Sequence, residues 1–274
     1  MKNNKGFISI TVIYSFFLVF LSLMMFIVVN MVTTRNLLNN MKTTIKNDIS
    51  DSNFANYLLN RRSEINLKKI DNSYRYTGAN PNNYIKFNNE NYRIIGIING
   101  RVKIIKGTAI SNIAWDTNNQ NTYSSSSLNT YLNSTFKNSL GTNINLIDTT
   151  VWYVGGLDSS YKSKTGDVIV KDELSNNGVV VNEHIAIPYI RDYIYASGGT
   201  TITKTNNWLF TSNMWFITRM STTILNSYYL TSTGAIDYTD IVSITKNIKP
   251  CFYLKGSVKY ISGSGTNSDP YIVG

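Results

Sequence analysis

Cysteine and histidine are nearly missing from this 274-residue sequence, which holds one of each. The lone Cys251 cannot close an intramolecular disulfide, and one Cys with one His does not make a zinc site of the usual kind. Any Ser–His–Asp or Cys–His apparatus would rest on His184 alone. Proline occurs only four times, and charged residues make up only 15% of the chain, too few for a disordered, highly solvated polymer. Repeats of 20–50 residues are also missing, which excludes solenoids and propellers. No metal, cofactor or catalytic residue is expected from this inventory.

Charge of one sign is unevenly placed. Of 26 Lys+Arg and 16 Asp+Glu, residues 1–106 carry 15 and 5, and residues 107–274 carry 11 of each. The basic excess therefore belongs to the N-terminal third, where Arg61-Arg62 and Lys68-Lys69 read as a solvated or membrane-proximal collar. A nucleic-acid partner is not expected, since no basic stripe with interleaved aromatics marks the neutral remainder.

What the N-terminus has is a long apolar run. Phe7 to Val29 carries no charge over 23 residues and holds 16 Leu, Ile, Val or Phe. As a helix it spans about 34 Å, enough for a hydrocarbon core of about 30 Å. The flank Val28 to Val32 offers no small-x-small site for an ordinary signal peptidase. The expected partner is a lipid bilayer, the cytoplasmic membrane, crossed once with the N-terminus inside and the remainder outside. Residues 33–62 contain no Pro or Gly, and Leu37, Leu38, Met41, Ile45 and Ile49 recur at three- and four-residue spacing. This predicts a helix of about 50 residues, half in lipid and half an amphipathic stalk.

Lys5-Gly6-Phe7 ahead of that helix resembles a type IV pilin or pseudopilin N-terminus over about residues 2–60. The resemblance implies cleavage between Gly6 and Phe7 by a prepilin peptidase, and assembly with other pilin-like subunits through a helix bearing Thr11, Leu37, Met41 and Ile45. Thr11 stands where the pilin pattern has glutamate, a departure that fits a filament tip better than a shaft. The alternative is a plain signal-anchor helix.

Beyond residue 70 the pattern shortens. Tyr84–Phe87 and Tyr92–Ile98 alternate as strands, and Asn99-Gly100 turns into a third, because both turn residues tolerate positive φ. Leu128, Tyr131, Leu132, Phe136 and Leu140 share one helical face closed by Gly141. Further strands are expected near 151–154, 179–187, 214–218, 226–231 and 250–256, with a short helix over 188–196. The fold class is α+β: a long N-terminal helix followed by a mixed, mainly antiparallel domain.

Six strings in order are YRYTGANPNNYIKFNNENYRIIGIINGRVKII, SLNTYLNSTFKNSL, WYVGG, IAIPYIRDYIYASGG, WLFTSNMWFIT and IKPCFYLKGSVKYISGSGTNSDPYIVG. Together they resemble a domain family on the surfaces of low-GC bacteria, with no settled ligand. The resemblance implies a fold related to C-type lectins and the formylglycine-generating-enzyme superfamily. The organisation read from all this is a basic leader at 1–6, a transmembrane helix at 7–32, a helical stalk at 33–70 and a lectin-like surface domain at 71–274. Lectin calcium signatures are missing, Asn80-Pro81-Asn82 and Trp115-Asp116-Thr117 being distant echoes. Cys251, in an alternating strand, is expected to be a buried thiol.

Aromatic rings stack on sugars and peptides while amides and carboxylates fix hydroxyls. Trp115, Asp116, Trp208 and Trp215 are therefore the candidate ligand-binding residues, although such rings also fill cores. His184, the acid pairs Asp237/Asp240 and Asp172-Glu173, and the Gly263-Ser264-Gly265-Thr266 turn each read as structural. The expected role is non-enzymatic: a membrane-anchored surface protein for binding or adhesion, either a minor pilin-like subunit or an independent receptor for a glycan, wall polymer or peptide.

Overall fold

With no Pro or Gly to interrupt it, the apolar run forms one helix, α1 (Ile10–Asp51), in the computed structural model, which describes residues 10–51, 53–175 and 178–274. The stretch Val12–Asn39 is long and apolar enough to cross a membrane, with a mean hydropathy of 2.7 and no buried residue. Two of its hydroxyls are satisfied inside the helix. Ser22 Oγ donates to the Val19 carbonyl and Thr33 Oγ1 to that of Val29, both at 2.8 Å, as a helix in lipid requires. The chain divides into residues 1–51 and a second unit, residues 52–274.

The second unit begins earlier than the sequence pattern implies. Asn53 takes an extended conformation (φ −62°, ψ 160°), and its Oδ1 accepts the Asn56 N–H at 2.9 Å, capping α2 (Phe54–Asn60). Phe54, Tyr57 and Leu58 are buried there. Asn66, at φ 55°, then turns the chain into β1 (Leu67–Ile70), and Asp71, at φ 49°, turns it into β2 (Ser73–Tyr76). The expected stalk over 33–70 is thus corrected: helix ends at Asp51, and residues 53–70 belong to the folded unit.

The following elements are β3 (Tyr84–Phe87), β4 (Glu90–Ile98), β5 (Arg101–Lys106) and β6 (Ile110–Ala114). A helical stretch runs through α3 (Ser127–Thr130), a π-helical Tyr131–Phe136 and α4 (Lys137–Ser139). Next come β7 (Thr150–Tyr153), β8 (Gly156–Leu157), α5 (Gly166–Ser175), β9 (Val180–Glu183), β10 (Ile185–Ala186) and α6 (Ile190–Ala196). The chain continues through β11 (Met214–Met220), β12 (Ser227–Leu230), β13 (Ile236–Asp237), β14 (Thr245–Ile248) and β15 (Cys251–Tyr253), then β16 (Tyr260–Ser262) and β17 (Ile272–Val273).

One sheet runs β1-β2-β4-β5-β15-β10, with β3 also on β4, and is antiparallel throughout. A second runs β13-β12-β11-β14-β6, and here β11 pairs in parallel with β14 and β8. Two small ribbons, β7-β9 and β16-β17, complete the unit. One face of the first sheet is aromatic: Phe87, Tyr92 and Phe252 meet at centroid distances of 5.1–5.6 Å. On the α6 side lie Arg75, Lys103 and Cys251, all buried. Burial pushes the Cys251 thiol up to about 12, leaving it an inert packing group.

Candidate functional site

None of the aromatic rings expected to meet a ligand shows an open face. Trp115 is fully buried, and its Nε1 donates to the Phe216 carbonyl at 3.1 Å. Trp215 on β11 packs edge-on to Tyr229 at 5.6 Å, with the Lys246 ammonium 5.0 Å from its own ring. Trp208, 8% exposed, donates to the Tyr76 carbonyl at 2.8 Å and covers the Arg93 guanidinium at 4.9 Å. Asp116 is buried too, with its carboxylate accepting the backbone N–H groups of Asn118, Gln120 and Ser127 at 2.9–3.0 Å. That geometry folds the 116–127 loop and uses up the carboxylate. These four residues are therefore core and loop-closing groups in this fold.

The remaining singled-out residues are engaged elsewhere. His184 lies 3.3 Å from Lys137 Nζ and 3.0 Å from Thr149 Oγ1, and burial together with Lys137 holds its pKa down. Asp237 pairs with Lys162 at 2.9 Å, and Asp240 with Lys246 at 2.5 Å, so the two acids do not act as a pair. Asp172 accepts the Tyr161 hydroxyl, while Glu173 points inward to α6. Ser264 and Gly265 both donate to the Asp269 carbonyl, closing a tight turn. Gly6 and Phe7 lie outside the described residues. Thr11, Met41 and Ile45 lie in α1, where Leu37 is exposed. Among the described residues no group of His, Cys, Asp or Glu is arranged to hold a metal.

A different place in the second unit has the makings of a site. Two cavities, of about 240 and 600 Å³, share the walls Asp71, Asn72 and Arg191. Local sequence builds them. The Asp71 turn connects β1 to β2 along one wall, and α6 supplies Arg191 to the other, its first N–H groups capped by two buried acids. Glu173 accepts from the Ile190 and Arg191 N–H groups at 2.8 and 2.9 Å and from the Thr218 hydroxyl. Asp192 reaches back to the Tyr189 N–H at 3.2 Å. Such capping offsets the unpaired donors of a helix start.

Asp192 also anchors the floor. Its carboxylate receives Arg75 Nη1 at 2.8 Å and Lys103 Nζ at 2.6 Å, and all three side chains are at least 96% buried. Burial pushes the Asp192 carboxyl up, but Lys103 and Arg75 outweigh it and hold it at about 2. Burial likewise opposes the Lys103 charge, and Asp192 overcomes it, raising Lys103 above its ordinary range. The Lys103 ammonium sits 5.1, 4.8 and 5.6 Å from the rings of Trp152, Tyr189 and Tyr253. This is an aromatic cage of the kind that binds cations, already filled by the protein's own lysine.

Polar groups line the rim. Arg191 Nε is buried with no hydrogen-bond partner, while its Nη2 lies 3.4 Å from Tyr195 Oη and 3.9 Å from Asp71. Asn72 and Asn99 are exposed. The groove therefore offers a guanidinium edge, two amides and tyrosine rings, a set suited to holding hydroxyls and acids by hydrogen bonds. No spacing pattern announces it, because Arg75, Lys103 and Asp192 come from three distant segments. The one local signal is Lys103 inside the apolar alternation Val102 to Ile105. No family model, curated protein or solved structure matches the chain.

Proposed function

We propose that the protein is a membrane-anchored, surface-displayed binding or adhesion protein that holds a hydroxyl-rich glycan or surface polymer in the groove at Asp71 and Arg191. The observation carrying this reading is Arg191 Nε, a buried donor without a partner on the wall common to both cavities. A buried donor left open costs about 1–3 kcal/mol, and a ligand oxygen would remove that cost. The tethering is supported by a helix long and apolar enough to span a bilayer. Full-length protein in detergent, applied to immobilised glycans and wall polymers, is expected to bind. Arg191→Met is expected to lose about tenfold to a hundredfold in affinity. Its backbone still donates to Glu173, so the α6 cap survives. Equal binding by the variant, or none by the folded parent, rejects the groove.

A pilin-like assembly role is the second reading, favoured by Lys5-Gly6-Phe7 followed by a helix without Pro or Gly to Asp51. Protein taken from its native membrane is then expected to begin at Phe7 by intact-mass analysis, and to co-purify with filament subunits. A chain still carrying residues 1–6 makes α1 a plain anchor.

A further inference from the structure

Several cationic side chains of the first sheet are paired with acids: Arg101 with Asp148 and Lys106 with Glu90. Arg75 and Lys103 share Asp192. Arg93 and Lys249 have no carboxylate partner among the described residues. Arg93 on β4 lies opposite Ile105 on β5, and Ile105 lies opposite Cys251 on β15. Direct cross-strand neighbours share a face, so Arg93 and the Lys249–Cys251 segment are two strands, about 10 Å, apart in backbone. Long side chains easily bridge that gap.

The surroundings leave both charges uncompensated by construction. Arg93 lies under the Tyr84 ring at 3.9 Å and the Trp208 ring at 4.9 Å. Its Nε donates to Asn83 Oδ1 and its Nη2 to the Pro81 carbonyl at 3.2 Å, so two neutral oxygens fix one edge while Nη1 has no partner among the described residues. Asn83 is itself fully buried and pinned, with Nδ2 donating to the Ile94 carbonyl at 2.8 Å. An amide thus occupies the place where an aspartate would neutralise the site. Lys249 is only 5% exposed, and its ammonium makes no hydrogen bond or ion pair among the described residues. It is not among the fully enclosed, unsatisfied atoms, so its tip touches solvent. Burial and Arg93 lower Lys249 to about 8, and burial lowers Arg93 to about 10.

Buried cations are ordinarily paired. We infer that Arg93 and Lys249 form a receptor for an oxyanion, a carboxylate or phosphate group that reaches the Lys249 ammonium and the free Arg93 Nη1 from solvent. The site is separate from the Arg191 groove and stands whether or not that groove binds a polymer. Beside the Arg93 guanidinium lie the Trp208 ring and the Pro81 carbonyl.

The test uses the full chain in detergent, in acetate, phosphate or chloride at equal ionic strength. Thermal unfolding is followed together with the NMR titration of the Lys249 Nζ, assigned by its loss in Lys249→Met. Acetate or phosphate is expected to raise the midpoint by about 5 °C at a hundredfold excess over Kd. The same anion is expected to move the Lys249 titration from about 8 toward about 10.4, the ordinary lysine value. Response to acetate alone assigns a carboxylate ligand, and response to phosphate assigns a phosphate. Lys249→Met is expected to abolish the response. Identical midpoints and identical Lys249 titrations in all three salts overturn the inference, as does a variant that keeps the full response. The wild-type titration needs no variant, so a misfolded Lys249→Met protein does not blunt the test, and Arg93→Gln serves as the second probe.

Discussion

Asp192→Ala is expected to lower the unfolding free energy of the folded unit by about 3–5 kcal/mol, because it strands two buried cations. Arg75 and Lys103 are 4% and 0% exposed and meet on this one carboxylate. Neither can swing to water, since Arg75 is also held by Ser73 Oγ at 2.9 Å and Lys103 is ringed by three aromatics. The Tyr189 N–H loses its acceptor as well. Chemical denaturation measures the loss, and a cost below about 1 kcal/mol would refute a buried ion pair at this place. The contrasting variant removes all three charges together: Arg75→Met, Lys103→Met, Asp192→Leu. It is expected to recover most of the stability, because apolar replacements need no partners. Acid carries the same signature. Asp192 is depressed to about 2 in the folded protein, against an ordinary value of about 3.9. Its contribution is fully present above about pH 4 and is lost as pH falls through about 2. Glu173 runs the other way. Burial raises it despite its hydrogen bonds from Thr218, Arg191 and Ile190, so its contribution is present below the ordinary carboxyl range and fades as pH rises through its folded pKa.

The same ion cluster explains what could be read from residues alone and what could not. Local chemistry was legible. Asn99-Gly100 forms the hairpin between β4 and β5, with φ of 50° and 74°. The apolar face at 128–140 is helical, though with a π stretch inside it, and residues 190–196 form the short helix ahead of Gly198. The failure over residues 53–70 has one cause. The breaks there are made by Asn53, Asn66 and Asp71, not by glycine or proline. Among the described residues, all nine non-glycine residues at positive φ are Asn or Asp, the side chains most tolerant of that conformation. The abundance of asparagine is therefore partly architectural, and a search for Gly and Pro passes over such turns. Tertiary burial was not legible either. A tryptophan in a strand reads the same whether its ring meets a ligand or the protein's own core, and Trp115 and Trp215 are buried in the core. Arg75 and Lys103 lie 117 and 89 residues from Asp192, so no spacing rule joins them.

Removing residues 1–51 is expected to change partitioning more than any point substitution changes stability. The sixteen Leu, Ile, Val and Phe residues between Phe7 and Val29 together favour insertion by roughly 5–10 kcal/mol. At one decade per 1.4 kcal/mol, this corresponds to about 10³–10⁷ in the membrane-to-water ratio. The full chain is therefore expected to stay with membranes through high salt and alkaline washes, and to enter the detergent phase on separation. Residues 52–274 are expected in the aqueous phase, folded. Their described core begins at Phe54, and their first turn is fastened internally. The Phe54 N–H donates to the Val258 carbonyl at 2.7 Å, and Tyr57 stacks on Tyr260 at 3.7 Å. A shorter piece beginning after Asn60 lacks those fastenings. It uncovers Tyr260 and Tyr271, and with them the β16–β17 ribbon, so it is expected to unfold at a lower denaturant concentration or to aggregate. If residues 52–274 stayed with membranes, the second unit would have its own lipid affinity. If the piece starting after Asn60 matched it in stability, α2 would belong to the tether after all. Sedimentation of the three chains, followed by denaturant titration of the soluble ones, decides between these outcomes.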